Sequence, residues 1–84
     1  MLIETETTPN PATLKFLPGR KVMDMGTRDF ASPEEAEASP LAEAIFGLGD
    51  VTGVFFGHNF ISVTAGPGSD WSALRTEVLS VLLD

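Results

Sequence analysis

Prolines at positions 9, 11, 18, 33 and 40 cut the first half of the chain into short segments, because each removes the backbone donor that a helix interior or a central strand needs. Leu2 to Thr8 alternates, with Ile3, Thr5 and Thr7 on one side and Glu4 and Glu6 on the other, which predicts a strand solvated on one face. Pro9 and Pro11 end it and push Thr8 and Asn10 toward extended geometry, so Thr8-Pro9-Asn10-Pro11 reads as a fixed, non-helical connection. Thr13 to Leu17 alternates again, with Leu14 and Phe16 inward. In Leu17-Pro18-Gly19-Arg20, Pro18 presets φ and Gly19 supplies the positive φ of a type II turn. Pro33 and Pro40 differ from these, since each follows a serine in the order of an N-cap and a first helical residue. Ser32 starts one helix, with Glu35 placed to close a capping box. Ser39 starts the next, which gathers Leu41, Ala42, Ile45, Phe46 and Leu48 on one face.

Gly47 to Asp50 stop that helix, and Val51 to Phe56 reads as a largely buried strand. Gly57-His58-Asn59 is a hairpin loop, after which Phe60 to Thr64 returns antiparallel with Ile61 and Val63 on one face. Ser69 or Asp70 caps a last helix whose apolar stripe is Trp71, Leu74, Val78, Val81 and Leu82, with Arg75 and Glu77 toward water. Lys21 to Ala31 is weakly patterned and is allowed a short edge strand near Phe30. The expected fold is α+β: a mostly antiparallel sheet of about four strands, with the short helices and the C-terminal helix packed on one face. No repeat or linker divides residues 1–84, so one domain is expected. A chain this short hides only roughly 60 to 65% of the surface its unfolded form exposes, so its large apolar residues are needed for packing.

The formal net charge is −7, and the cations are Lys15, Arg20, Lys21, Arg28 and Arg75 alone. Nucleic acid and anionic membrane are therefore excluded as expected partners, since phosphate would meet repulsion rather than release counterions. No cysteine is present, which removes disulfides, thiolate nucleophiles and cysteine-ligated clusters. No signal architecture opens the chain and no apolar run approaches the roughly 18 residues of a membrane span, so the default location is cytoplasmic.

His58 is the single imidazole; a base needs a nucleophile or an orienting carboxylate, and a metal needs further ligands, none of which the neighbouring sequence supplies. Glu34, Glu35, Glu37 and Glu43 lack the spacing of a calcium loop and read as solvated helix charges, the first two favoured by the helix dipole. Gly47-Leu48-Gly49 and Gly66-Pro67-Gly68 lack the context of phosphate-binding loops. Nothing predicts an enzyme, a metal site or a bound cofactor in this chain.

Phe55, Phe56, Phe60 and Trp71 read first as core. Period two nevertheless sends Phe55 and Phe56 to opposite faces of one strand, which leaves one ring on the side the helices do not cover. Phe56 is taken as that outlying ring, with Phe60 nearby as part of a contact patch. The candidate protein-contact residues are Asn10 and Pro11 in the rigid turn, Phe56, and His58 and Asn59 in the hairpin loop.

The wording of Thr8 to Gly19 (TPNPATLKFLPG), of Ser39 to Ala42 (SPLA), of Gly53 to Gly57 (GVFFG) with Asn59 to Thr64 (NFISVT), and of Asp70-Trp71 resembles the N-terminal domain of Nfu-type (NifU-like) iron-sulfur cluster scaffold proteins. The resemblance runs essentially end to end. It implies a noncatalytic accessory domain in iron-sulfur cluster assembly, serving client recognition or modulation of the cluster-binding domain. The implied partners are client apoproteins and that cluster-binding domain, and the cluster itself would sit on a separate Cys-x-x-Cys domain absent from this chain. An excised domain, monomeric in isolation, is the expectation. Ala65 stands where the family often has lysine, and Thr76 where proline is common, which puts any contact made by that lysine in doubt. The alternative is a stand-alone protein-interaction module unrelated to iron-sulfur chemistry; a small enzyme ranks third, because His58 has no recognisable partners.

Overall fold

The computed structural model describes residues 3–19, 21–23 and 26–83; Leu2 of the first expected strand and Arg20 of the expected turn lie outside them. The proline-bounded segments become strands β1 (Glu4–Thr7) and β2 (Thr13–Leu17), β3 (Arg28–Phe30), helices α1 (Pro33–Ala36) and α2 (Pro40–Phe46), strands β4 (Val51–Phe56) and β5 (Ile61–Ala65), and helix α3 (Trp71–Leu83). The five strands form one sheet in the order β1-β2-β5-β4-β3, with every neighbouring pair antiparallel. The expected α+β architecture is present, but with five strands rather than about four. The fifth is β3, the short edge strand allowed near Phe30, at the end of the sheet; its Arg-Asp-Phe shows no alternation and it pairs with β4, Phe30 opposite Val54 and Arg28 opposite Phe56.

Local chemistry sets the helix starts. Ser32 Oγ accepts from the Glu35 N–H at 3.4 Å, and Ser39 Oγ accepts from the Ala42 N–H at 3.3 Å, with proline following both caps. The capping box closes one residue early, since the Glu35 carboxylate accepts from the N–H of Ala31 at 3.0 Å. Asp70 caps α3, its Oδ1 accepting from the Ser72 hydroxyl at 2.6 Å and the Ser72 N–H at 3.0 Å. Those two bonds, the hydroxyl first, hold the Asp70 carboxyl below the ordinary aspartate value. At the end of β2, Gly19 has φ +79°, which supports the turn geometry read from Pro18-Gly19.

The helices share one side of the sheet, where Phe16, Phe30, Val54, Ile61 and Val63 meet Ile45 of α2 and Val78 of α3, all fully buried. Leu74, Val78 and Leu82 are the buried stripe of α3 and Trp71 and Val81 its half-buried flank, as the periodicity predicts. Each fully buried large side chain contributes about 1.5 to 3 kcal/mol relative to exposure.

Candidate functional site

The phase of β4 decides which aromatic faces outward. Phe56 is 5% exposed and lies in the core, so the outlying ring is Phe55, not Phe56. The cause is an irregularity in the β4–β5 register between Val51 and Gly53: Val51 pairs with Ala65 and Gly53 with Thr64, leaving Thr52 as the extra residue of a bulge. Strict alternation from the buried Val51 would turn Phe55 inward. One extra residue reverses the phase, so that Val54 and Phe56 join Val51 on the helix side.

The helix-free face then carries a row that crosses all five strands. Register places Glu6 opposite Lys15, Lys15 opposite Ser62, Ser62 opposite Phe55 and Phe55 opposite Asp29. Phe60 leans across this row from the end of the hairpin loop. Its ring stacks on Phe55, with centroids 5.9 Å apart and planes 27° apart, and the Lys15 ammonium lies 4.4 Å from its centroid. Lys15 Nζ is also 3.7 Å from Glu6 Oε1, an exposed pair that contributes at most about 1 kcal/mol. Gly57 permits the arrangement, since a Cβ there would overlap the Phe60 ring. The face is therefore an aromatic pair bridged to an acidic edge through one cation.

The other candidate residues do not converge. Thr13 pairs with Thr64 and Phe16 with Ile61, so the turn before Thr13 and the hairpin loop before Ile61 lie at opposite ends of β2 and β5, about 13 Å apart along the strand. His58 and Asn59 are exposed beside Phe60, and the His58 carbonyl accepts from the N–H groups of Val22 at 2.7 Å and Met23 at 3.2 Å. At the far end Asn10 and Pro11 are both exposed, and Asn10 also bonds within the turn. Its Oδ1 accepts from the Ala12 N–H at 2.9 Å, its carbonyl from the Thr13 N–H at 3.0 Å and the Thr8 hydroxyl at 2.8 Å.

Trp71 fastens that turn to α3. Its Nε1–H donates to the Ala12 carbonyl at 3.0 Å, which also accepts from the Ala65 N–H at 2.8 Å, while the indole packs on Phe16 at 6.2 Å. Trp71→Phe keeps an aromatic ring there and leaves the Ala12 carbonyl its second donor, so a loss of about 0.5 to 1.5 kcal/mol is expected. Urea unfolding followed by far-UV circular dichroism measures it. A loss above about 3 kcal/mol would show that indole volume, not the hydrogen bond, holds the turn.

Two clefts flank the helices. One, between α1 and α2, is lined by Glu34, Glu37, Glu43 and Phe46; the other is lined by Lys21, Val22, Leu41, Ile61, Val81 and Leu82. Among the described residues no group of three or more His, Cys, Asp or Glu side chains is placed to hold a metal ion, and no helix is long and apolar enough to cross a membrane.

The missing signal for Phe55 was Gly53. A glycine inside a strand pattern marks a bulge or a close backbone approach, and here it adjoins the residue that reverses the strand's phase.

Comparison with known proteins gives one consistent answer. The family model described as "Scaffold protein Nfu/NifU N terminal" matches residues 3–84. Among curated proteins, the chain is 42% identical over 84 residues to the Arabidopsis thaliana protein named NifU-like protein 5, mitochondrial. It is 46% identical over 85 residues to the Drosophila sechellia protein named NFU1 iron-sulfur cluster scaffold homolog, mitochondrial. Each alignment takes in 100% of this chain and 30% of the relative, so the chain spans under a third of those proteins' length. Among solved structures, a NifU-like protein from Saccharomyces cerevisiae superposes with TM-score 0.84 at 25% identity, covering 96% of this chain and 74% of that one. A Staphylococcus aureus protein superposes with TM-score 0.82 at 23% identity, covering 96% and 98%, a likeness of fold. The cytoplasmic default drawn from the sequence is corrected by these names, since the plant and fly relatives are mitochondrial proteins; a compartment cannot be read from the absence of a hydrophobic segment.

Proposed function

Because the chain belongs to the family of Nfu/NifU scaffold N-terminal domains, matched over residues 3–84, we propose that it is the noncatalytic recognition domain of an iron-sulfur cluster scaffold. In this reading residues 1–84 form one domain and the cluster is cargo carried on cysteines outside it. The domain brings client apoproteins, or the cluster-bearing part of the same scaffold, against its helix-free face. The observation that carries the reading is the Phe55–Phe60 stack displayed on that solvated side. One face of an antiparallel sheet is ordinarily polar where it meets water, and paired rings there mark a contact surface. His58 and Asn59 extend the surface past Phe60, and the exposed Asn10 and Pro11 present a rigid corner at the other end.

The test is cluster transfer to an apo-ferredoxin from the Drosophila relative, compared with two forms of it: one in which the matching segment is replaced by this chain, and one from which that segment is deleted. Transfer should be faster or more selective with the segment than without it, and this chain should restore it. Equal rates in all three forms would reject a recognition role and favour an interaction module without part in cluster delivery.

A further inference from the structure

The helix-free face has a charge pattern as well as an aromatic centre. Glu6 closes one end of the cross-strand row and Asp29 the other, four strand spacings or about 19 Å apart. Glu4 adds a third carboxylate on the β1 side of the same face, opposite Leu17. The cation inside the row, Lys15, already lies against Glu6 and over Phe60. Arg28, next to Asp29 in sequence, belongs to the opposite face by register and lies 5.1 Å from the Phe30 centroid. A second copy of this chain, with net charge −7, would bring acid against acid.

Resting on the recognition reading above, we infer that this face takes a basic protein segment with an apolar centre. One aliphatic or aromatic side chain lies on the Phe55–Phe60 stack, and lysine or arginine side chains reach Asp29 at one end and Glu6 at the other. The spacing sets a pattern. Phe55 stands one strand from Asp29 and three from Glu6, about 5 and about 14 Å. An extended segment rising about 3.3 Å per residue and laid across the strands meets those points with cations six residues apart and the apolar residue two from one of them. All three then fall on one side of the segment, because those separations are even. The opposite charges steer the encounter and fix direction, while the rings supply the contact.

The probe is the capped heptapeptide Lys-Ser-Thr-Ser-Leu-Ser-Lys, titrated into the isotope-labelled 84-residue chain by NMR beside two controls, one with both lysines changed to glutamate and one with leucine changed to serine. Shifts should concentrate at residues 6, 15, 29, 55 and 60. Each control, and each of the variants Asp29→Lys, Glu6→Lys and Phe55→Thr, should weaken binding at least tenfold while far-UV circular dichroism stays unchanged. Binding should also fall as salt rises from 0.01 to 1 M and the screening length shrinks from about 30 to about 3 Å. Equal binding of the acidic peptide, shifts on the helix side, or no shift at millimolar peptide would overturn the inference. The same variants in the transfer assay separate the two ideas: transfer that needs this domain yet ignores Asp29→Lys and Phe55→Thr would discard this face and keep the recognition role. Transfer indifferent to the domain would discard that role.

Discussion

Phe16→Ala is expected to remove about 3 to 5 kcal/mol of the chain's stability at 25 °C. Phe16 is 0% exposed and sits in β2 between β1 and β5, its ring against Trp71 at 6.2 Å. Removing a buried phenylalanine costs about 3 to 5 kcal/mol, the lost transfer energy plus that of the cavity left behind. At about 0.05 to 0.15 kcal/mol per residue, an 84-residue domain has about 4 to 13 kcal/mol in total, so one side chain accounts for much of it. Trp71 is the only tryptophan and packs directly on the altered site, so its fluorescence in a urea titration reports the change. A loss below about 1 kcal/mol would mean that the sheet collapses onto the gap and that Phe16 does not anchor the core. Phe55→Ala is the contrast, because that ring is half-buried on the other face, and its loss should stay below about 1.5 kcal/mol. The pair of measurements separates the residues that hold the fold from those available to a partner.

The features that were legible in the sequence depend on neighbours along the chain. Ser32-Pro33 and Ser39-Pro40 announce helix starts because cap, proline and first turn are contiguous, and the stripe of α3 shows because 3.6-residue periodicity is a local property. Pairing of β2 with β5 joins Leu14 to Val63, distant segments whose match no local pattern encodes. Strand β3 was expected only as a short edge strand near Phe30, and its partner, β4, is set in the same non-local way. Phe55 and Phe56 show the consequence for a site. Alternation correctly sends them to opposite faces, but which one meets water depends on the bulge at Thr52, a property of the β4–β5 pair rather than of either strand. The Thr8–Thr13 turn was legible as rigid, but the bond from the Ala12 N–H to the Asn10 side chain that closes it was not.

Gly57→Ala should lower stability by about 1 to 3 kcal/mol, the range for forcing an added group into a packed site, and should dismantle the aromatic centre of the proposed contact face. Gly57 is buried, and its N–H donates to the Phe60 carbonyl at 2.9 Å, closing the hairpin. A Cβ would overlap the Phe60 ring, so either the ring swings away from Phe55 and Lys15 or the loop backbone shifts. These alternatives differ in a double-mutant cycle. With Phe60→Ala already in place the obstruction is gone, and alanine at 57 should cost nothing or stabilise by about 0.4 to 1 kcal/mol through the unfolded chain's lost freedom. A full penalty persisting in that background would assign the glycine to the loop backbone. If the ring is the cause, Gly57→Ala also abolishes heptapeptide binding while Asp29 and Glu6 keep their charges. That result would show the acidic ends steer a partner that only the stacked rings can hold.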